Sequence, residues 1–173
     1  MQICVRKAAA SGFVRFLRGQ TGRFYGAAAQ PEGKAAAQKR LQGVVVILVL
    51  AAQALRTEPG RIAKTLSFKN GEGCIILVAA GDRRVDNHKF KAEFGVKAAM
   101  LTHEDALRLT GHAVGGVCPF ALPEGVPVYL DESLRRFETV FPAAGSASSA
   151  AEMTCEELFR ASRAMKWVDV CKE

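Results

Sequence analysis

The chain has 173 residues, of which 49% are apolar, so it can bury the core of one domain and is too apolar to be disordered. Its net charge of +7 lies entirely in residues 1–60, which hold nine basic and two acidic residues, because residues 61–173 hold fifteen of each. The bulk charge is therefore no indication of a nucleic-acid partner. The apolar run at residues 44–52 is too short to cross about 30 Å of hydrocarbon.

Cysteine usage indicates a reducing compartment. The chain holds five cysteines, an odd number, and no C-x-x-C pair, which argues against a disulfide framework or a structural zinc site. We therefore expect a cytoplasmic protein in which most of these thiols are small buried hydrophobes. The cysteines are Cys4, Cys74, Cys118, Cys155 and Cys171.

Residues 1–43 differ in composition from the rest of the chain. They contain six glycines, eight basic residues and one acid, Glu32. This arginine-rich, acid-poor start is typical of an organellar transit peptide, but a diverged segment, a misassigned start or a shifted reading frame would look the same. We therefore divide the chain into an atypical basic segment over residues 1–43, expected to be less ordered, and a domain over residues 44–173.

Regular predicted elements begin at about residue 48. The pattern predicts a helix over residues 48–55 and a β-branched, aromatic strand over residues 62–68. Asn70-Gly71 marks a turn, and residues 74–80 form an apolar run typical of a strand buried on both faces. These two strands are predicted to pair as a hairpin.

Capping residues predict two helices with a strand between them. Asp86 is a favourable N-cap, and Gly95 is a favourable C-terminal cap for the same helix. Thr102 opens a second helix in a near capping box, and Gly111 ends it. Residues 96–101 are predicted to form a short strand between the two helices.

The C-terminal part also mixes strands and helices. Strands are predicted over residues 126–131 and 137–141, on either side of a short turn at residues 132–136. A capping box predicts a last helix over about residues 154–165, and residues 167–170 form a final predicted strand. Because helices and strands do not alternate strictly, we predict a single α/β domain with a mixed, curved sheet.

A glycine-rich loop follows the second predicted helix. Gly111, Gly115 and Gly116 let the backbone bend and come close to a ligand, because they carry no Cβ. Pro119 fixes the backbone and ends the loop. Such a segment offers backbone N–H groups, which suit an oxygen that gains negative charge during a reaction.

One lysine and one aspartate interrupt otherwise apolar strands. Lys64 loses solvation among its neighbours, which favours a directed contact or a lowered pKa; the alternative is a strand-edge lysine with a solvated head. Asp131 ends a strand, where it could orient Lys64, bind a substrate amino group or simply terminate the strand. Thr65 either adds a hydroxyl contact or is an ordinary strand residue.

Cys118 and His112 leave a nucleophilic mechanism open. A catalytic thiol needs a lowered pKa and a base within hydrogen-bonding reach, and a glycine-rich loop does not ensure that geometry. The preferred interpretation of Cys118 is a small residue that lines the site. His88, His103 and His112 lack the spacing of metal ligands, so we expect no metal and no other cofactor.

Six ordered blocks carry a family resemblance. They are Lys64-Thr65-Leu66, Lys89-Phe90-Lys91, Thr110-Gly111-His112, Gly115-x-x-x-Pro119, Leu130-Asp131 and Ala144-Gly145. Over roughly residues 51–172 the chain resembles the YbaK/EbsC family, which includes the insertion domain of prolyl-tRNA synthetase and free-standing aminoacyl-tRNA deacylases. The resemblance implies a YbaK-like fold, in which helices surround a mixed, barrel-like sheet.

The resemblance also implies a site and a reaction. It assigns Lys64, Gly115 and Asp131 to the reaction centre of an aminoacyl-tRNA deacylase, which hydrolyses the ester at the 3′ end of a mischarged tRNA, of a tRNA-Pro type. The implied partners are that aminoacyl-tRNA and, as a second candidate, an aminoacyl-tRNA synthetase, with neither a membrane nor a metal. The implied substrate-binding residues are Thr65, Gly111, His112, Gly116, Val117, Cys118, Pro119 and Gly145.

Two other functions remain open at the level of the sequence. A non-catalytic module of the same fold would hold a tRNA end or a nucleotide, and the poorly matched N-terminal segment favours it. A thiol hydrolase would use Cys118 as its nucleophile. The sequence does not specify the amino acid removed, the tRNA or the oligomeric state.

Overall fold

The computed structural model describes residues 51–53, 55–113, 116–145 and 149–173, together with the backbone of three short strands before residue 27. Within these residues the strands are β1 (Arg6–Lys7), β2 (Val14–Arg15), β3 (Phe24–Gly26), β4 (Ile62–Asn70), β5 (Gly73–Ala80), β6 (Arg84–Val85), β7 (Val128–Asp131), β8 (Thr139–Pro142), β9 (Ser149–Ala151), β10 (Met153–Thr154), β11 (Lys166–Val168) and β12 (Cys171–Lys172). The helices are α1 (Asn87–Phe94), α2 (His103–Thr110) and α3 (Cys155–Ala161), with 3-10 helices at Pro59–Arg61 and Glu132–Arg136.

The β4–β5 hairpin is the centre of the fold. Its antiparallel ladder runs without a break from Ala63 opposite Ala80 to Asn70 opposite Gly73. Gly71 takes a φ of 57° in the tight turn, a conformation that a glycine adopts at little cost. The predicted hairpin is therefore confirmed. All residues of β5 after the first are buried, as the apolar run predicts for a strand covered on both faces.

A mixed six-stranded sheet grows from this hairpin in the order β10-β8-β4-β5-β7-β11. β4 pairs with β8 in parallel, and β5 and β7 are likewise parallel, as are β7 and β11, whereas β8 and β10 are antiparallel. Helices lie against this sheet, and the curled half-barrel forms a single domain. The predicted α/β class with a mixed, curved sheet is confirmed.

The sheet separates two hydrophobic cores. The first core holds Ala63, Val78 and Leu130, with Val117 and Phe120 of the glycine-rich segment packed against it. The second core lies on the other face and holds Phe68, Ile75, Leu77, Phe90, Val168 and Val170. Alternate residues of β4 and β5 enter opposite cores, because side chains of a strand point alternately to its two faces.

Caps define α1 and α2 as the sequence predicts. The Asp86 carboxylate accepts hydrogen bonds from the backbone N–H groups of His88 at 2.8 Å and Lys89 at 3.1 Å. Thr102 Oγ1 accepts one from the N–H of Asp105 at 3.1 Å. Both helices end on glycines with φ of 73°, Gly95 and Gly111. These local interactions fix the helix ends independently of the rest of the fold.

The last helix ends earlier than predicted. Thr154 and Glu157 form the complete capping box at its start, but α3 stops at Ala161 and does not reach residue 165. Met165 N–H instead donates to the carbonyl of Val128 at 2.8 Å, which aligns the following residues with β7 as β11. Pairing with β7 therefore ends the helix. β11 begins one residue before the predicted strand and stops before residues 169–170.

The strand predicted over residues 96–101 does not form. Only Met100 makes a bridge, opposite Phe68, and hydrogen bonds from Lys69 N–H to Ala99 O at 2.8 Å and from Leu101 N–H to Ser67 O at 3.0 Å fasten the segment to β4. The Met100 side chain is 58% exposed, so this segment contributes little to the sheet face. A short apolar pattern was insufficient to specify a strand here.

Four pairings in the described structure involve strands that the sequence interpretation did not contain. β1 pairs with β2, β12 with β6, β10 with β8, and the backbone of β3 pairs with β9. The last pairing attaches Phe24–Gly26, within the basic segment, to the domain. Of the predicted helix at residues 48–55, residues 51–53 are helical, and residues 48–50 and 54 lie outside the described residues. No helix in the described part of the chain is long and apolar enough to span a membrane.

Candidate functional site

Lys64 lies in a row of residues that crosses three strands. Within the sheet it is opposite Ala79 of β5, and the register of β5 with β7 places Asp131 on the other side of Ala79. Paired residues lie on the same face of a sheet, and neighbouring strands are about 4.8 Å apart. The buried Ala79 therefore separates the lysine from the aspartate and, having only a methyl side chain, leaves space between them.

The Lys64 ammonium contacts main-chain carbonyls. Nζ donates to the carbonyl of Gly81 at 3.3 Å and to that of Arg83, both in the segment that follows β5. Burial lowers the pKa of Lys64, and nearby Arg84 lowers it further, whereas Cys171 in its ionised form and the charges of Asp82 and Asp131 raise it. Because a lysine has three N–H donors, the two carbonyls leave one for a ligand.

Asp131 is almost completely buried, with 1% of its surface exposed. One carboxylate oxygen accepts the N–H of Ser133 at 3.0 Å, and the other accepts the N–H of Val170 at 3.0 Å. Ser133 Oγ in turn accepts the N–H of Ala80 at 3.2 Å. The carboxylate thus joins the end of β7 to the following 3-10 helix and to the segment between β11 and β12.

Cys171 is a neighbour that sequence reasoning missed. Burial, the Asp131 charge and a hydrogen bond to that carboxylate together raise the pKa of Cys171 to about 12. Its thiol is therefore protonated and inert at neutral pH. Only the pairing of β12 with β6 brings Cys171 beside Lys64 and Asp131, and no local motif indicates it.

Thr65 lies on the opposite face of β4 from Lys64. It shares its face with Ala63 and therefore with the first core, on which the glycine-rich segment packs. Thr65 Oγ1 is buried and has no hydrogen-bond partner among the described residues. A buried hydroxyl without a partner costs about 1–3 kcal/mol, which a bound water or ligand would recover. Thr65 is thus better placed than Lys64 to face that segment.

His112 and Cys118 converge on one carbonyl oxygen. His112 Nε2 lies 3.0 Å from the Phe120 carbonyl, and the Cys118 thiol donates to the same oxygen at 3.5 Å. Cys118 Sγ and His112 Nε2 are 3.8 Å apart. Because a carbonyl only accepts hydrogen bonds, Nε2 must carry a proton and cannot act as a base toward the thiol.

The environment of Cys118 also opposes thiolate formation. Burial raises the pKa of Cys118, and hydrogen bonds involving the backbone of Phe120 and Gly145 offset this only in part. The Gly145 contact places this residue against the glycine-rich segment. Gly145 itself has a φ of 89°, a conformation that favours glycine.

The remaining predicted residues lie in or beside the same segment. Gly116 N–H donates to Ala113 O at 2.9 Å in a turn, Pro119 is buried, and Val117 packs on the first core. Gly111 is exposed at the end of α2. Gly115 lies outside the described residues, so its predicted role stays a prediction.

The predicted site is therefore divided between the two faces of β4. Lys64, Asp131 and Cys171 form a charged cluster on the side of the second core, whereas Thr65 and Cys118 lie on the side of the first. Within the ranges that the structure describes, no three His, Cys, Asp or Glu side chains gather as metal ligands would.

Comparison with known proteins bears on this arrangement. Residues 47–161 match the family model of the aminoacyl-tRNA editing domain. The uncharacterized protein YwhH of Bacillus subtilis (strain 168) is 51% identical over 124 residues, covering 71% of this chain and 79% of YwhH. A proline–tRNA ligase of Bacillus cytotoxicus is 30% identical over 81 residues, which is 46% of this chain but only 14% of the ligase.

A solved structure resembles the fold over most of its length. It is a candidate trans-editing enzyme for prolyl tRNA synthetase, with a TM-score of 0.67 and 32% identity. The similarity covers 73% of this chain and 80% of that protein.

Proposed function

Because this chain belongs to the aminoacyl-tRNA editing domain family, we propose that it is a trans-editing hydrolase of mischarged aminoacyl-tRNA. The reaction is hydrolysis of the ester between a wrongly attached amino acid and the 3′ adenosine of a tRNA. The ligase relative and the solved trans-editing candidate are both connected with proline by name, which supports a tRNA-Pro-type substrate. An aminoacyl-tRNA synthetase that produces the error is a further candidate partner.

One observation carries the proposal: two adjacent residues of a central strand have polar groups that the fold satisfies only in part. Lys64 has a lowered pKa because its ammonium is partly buried. Thr65 has a buried hydroxyl without a partner in the described structure. Each feature costs stability, and costly polar groups concentrate at functional sites. Both groups are available to a ligand that brings negative charge and hydroxyl groups, as a tRNA end does.

Positioning and electrostatics are sufficient for this reaction. An aminoacyl ester is already activated, so a held water molecule can attack its carbonyl carbon without a protein nucleophile. The backbone N–H groups of the segment around Gly115 and Pro119 would receive the oxygen that becomes negative. Thr65, on the same face of β4 as that segment, would hydrogen-bond the attacking water or the substrate, whereas Lys64, on the other face, would bind phosphate or ribose oxygens of the tRNA end.

The contacts of Cys118 favour this mechanism over a thiol hydrolase. Its pKa is raised by burial, and the histidine beside it uses Nε2–H to bond Phe120. A nucleophilic thiol needs the reverse, a lowered pKa and a free basic nitrogen. Cys118 therefore has the role of a small residue lining the site.

A panel of mischarged aminoacyl-tRNAs tests the proposal. Purified protein is incubated with tRNA-Pro carrying amino acids of different size, and with correctly charged Pro-tRNA-Pro, while loss of the labelled ester is followed. We expect at least one mischarged species to lose its ester much faster than without protein, with Pro-tRNA-Pro preserved. Binding without hydrolysis of any species would instead identify the non-catalytic module, and neither binding nor hydrolysis would refute both.

A further inference from the structure

We propose that Asp131 is a positioning residue for Lys64 and does not itself touch the substrate. Together with Cys171, Asp131 holds in place the backbone carbonyls that accept hydrogen bonds from the lysine ammonium. The expected effect of Asp131 on catalytic turnover rests on the proposed function. The inference departs from the assignment of Asp131 to the reaction centre and adds Cys171, a residue with no predicted role.

Both carboxylate oxygens of Asp131 are already engaged within the protein. Both oxygens accept backbone N–H groups, those of Ser133 and Val170, and the thiol of Cys171 adds a third donor. With 1% of its surface exposed, Asp131 is also out of reach of a substrate. Its hydrogen bonds therefore act on the protein itself.

Those hydrogen bonds hold both carbonyls that Lys64 uses. On one side, Asp131 accepts the N–H of Ser133, and Ser133 Oγ accepts the N–H of Ala80, the residue before Gly81. The Gly81 carbonyl is one of the two that Lys64 uses. On the other side, Asp131 accepts the N–H of Val170, the residue before β12. β12 pairs with β6, which begins directly after Arg83, the residue whose carbonyl is the second partner of Lys64. Loss of the carboxylate would free the two segments that receive the ammonium.

Asp131 also acts on Lys64 through its charge. The two lie on one face across Ala79, roughly 9–10 Å apart between Cα atoms at two strand spacings. The charged and titratable groups that face Lys64 are Cys171 on β12, Asp82 in the turn after β5, Arg84 on β6 and Asp131 on β7. Those that face Asp131 are Lys64, Arg83, Lys89 and Cys171. Of these groups, Asp82 and Asp131 both act to raise the pKa of Lys64, so removal of the Asp131 charge should lower that pKa further.

The first test measures the pKa of Lys64 directly and needs no substrate. Protein labelled with 13C and 15N at lysine is titrated by NMR, with the Lys64 signal assigned from its absence in Lys64→Met. We expect the pKa of Lys64 to be lower in Asp131→Asn than in the wild type, because a favourable charge is lost. Asp169→Asn is the matched control, since Asp169 is exposed and pairs with Lys89 at 2.9 Å. It should leave the Lys64 pKa unchanged.

The second test measures how the rate of deacylation depends on pH. In Asp131→Asn the alkaline limb of the deacylation profile should move to lower pH, with KM little changed. Asp131→Asn should add no further loss to Lys64→Met, because residues that act through one another are not additive. A raised KM with an unmoved alkaline limb would mean that Asp131 touches substrate. A lowered melting temperature with an unmoved Lys64 pKa would mean a purely structural carboxylate, and either result overturns the inference.

A second variant covers the case in which Asp131→Asn does not fold. Ser133→Ala removes the hydroxyl that links the Asp131 side of the site to Ala80, without removing a charge, and the looser Gly81 carbonyl should lower the Lys64 pKa. An unchanged pKa in that variant overturns the inference. If the wild type hydrolyses nothing in the panel, the proposed function fails, whereas the NMR titration still decides whether Asp131 governs Lys64.

Discussion

Replacement of Lys64 by methionine separates chemistry from stability. Methionine keeps most of the aliphatic stem and removes the charge and the donors that Gly81 and Arg83 receive. Two carbonyls lose a partner, while the cost of burying an ammonium disappears, so the net loss should be about 1–2 kcal/mol. For a chain of this length that corresponds to a melting temperature lower by about 2–8 °C.

The expected loss of activity is much larger than unfolding could cause. A domain with about 5 kcal/mol of stability that loses 2 kcal/mol is still roughly 99% folded at 25 °C. Loss of a charged group that positions the tRNA end for attack lowers turnover by about 10²-fold. Deacylation of the best substrate of the panel, measured below the melting transition, should therefore fall by about 100-fold in Lys64→Met.

Lys69→Met is the matched control on the same strand. Lys69 is exposed and pairs with Asp105 at 3.5 Å, so its replacement should change neither activity nor melting appreciably. Normal turnover in folded Lys64→Met would refute the reasoning and leave Lys64 as a structural tie. A loss of activity no larger than the loss of folded protein would also refute a role of Lys64 in the reaction.

The pH dependence of stability gives an independent check on Lys64. Its pKa is lowered from 10.5, so between the folded value and 10.5 the unfolded chain binds more protons than the folded one. The contribution of Lys64 to the free energy of unfolding must then rise with pH between the folded pKa and 10.5. The difference in melting temperature between the wild type and Lys64→Met should therefore widen as pH approaches 10.5. A difference that narrows would contradict the lowered pKa.

Three further substitutions test the loop and the turn after β5. Cys118→Ser should keep activity within about tenfold and trap no acyl-enzyme by mass spectrometry, whereas a loss of several hundredfold would point to a nucleophile. Gly81→Ala should cost at least about 2 kcal/mol in urea denaturation, because its Cβ would lie 2.2 Å from the Pro59 carbonyl oxygen; Gly73→Ala, with its nearest atom at 3.7 Å, is the control. Gly115→Val should abolish deacylation with near-normal melting, and proportionate loss of both would identify a structural turn.

Local sequence determined both ends of α1 and α2, the start of α3 and the central hairpin. Asp86 and Gly95, and likewise Thr102 and Gly111, are capping residues that act within a few positions of themselves. Such interactions depend on neighbours in the chain, so the sequence states them completely. The candidate residues, among them Lys64 and Thr65, were also visible as polar side chains in an apolar strand.

Only the tertiary structure decided how those residues are grouped. The end of α3 depends on a hydrogen bond to Val128, and the position of Cys171 beside Asp131 depends on the pairing of two short strands. Alternation alone puts Lys64 and Thr65 on opposite faces of β4, but what covers each face is set by residues distant in sequence. A strand pattern carries no information about its partners, because pairing and burial are properties of the assembled sheet.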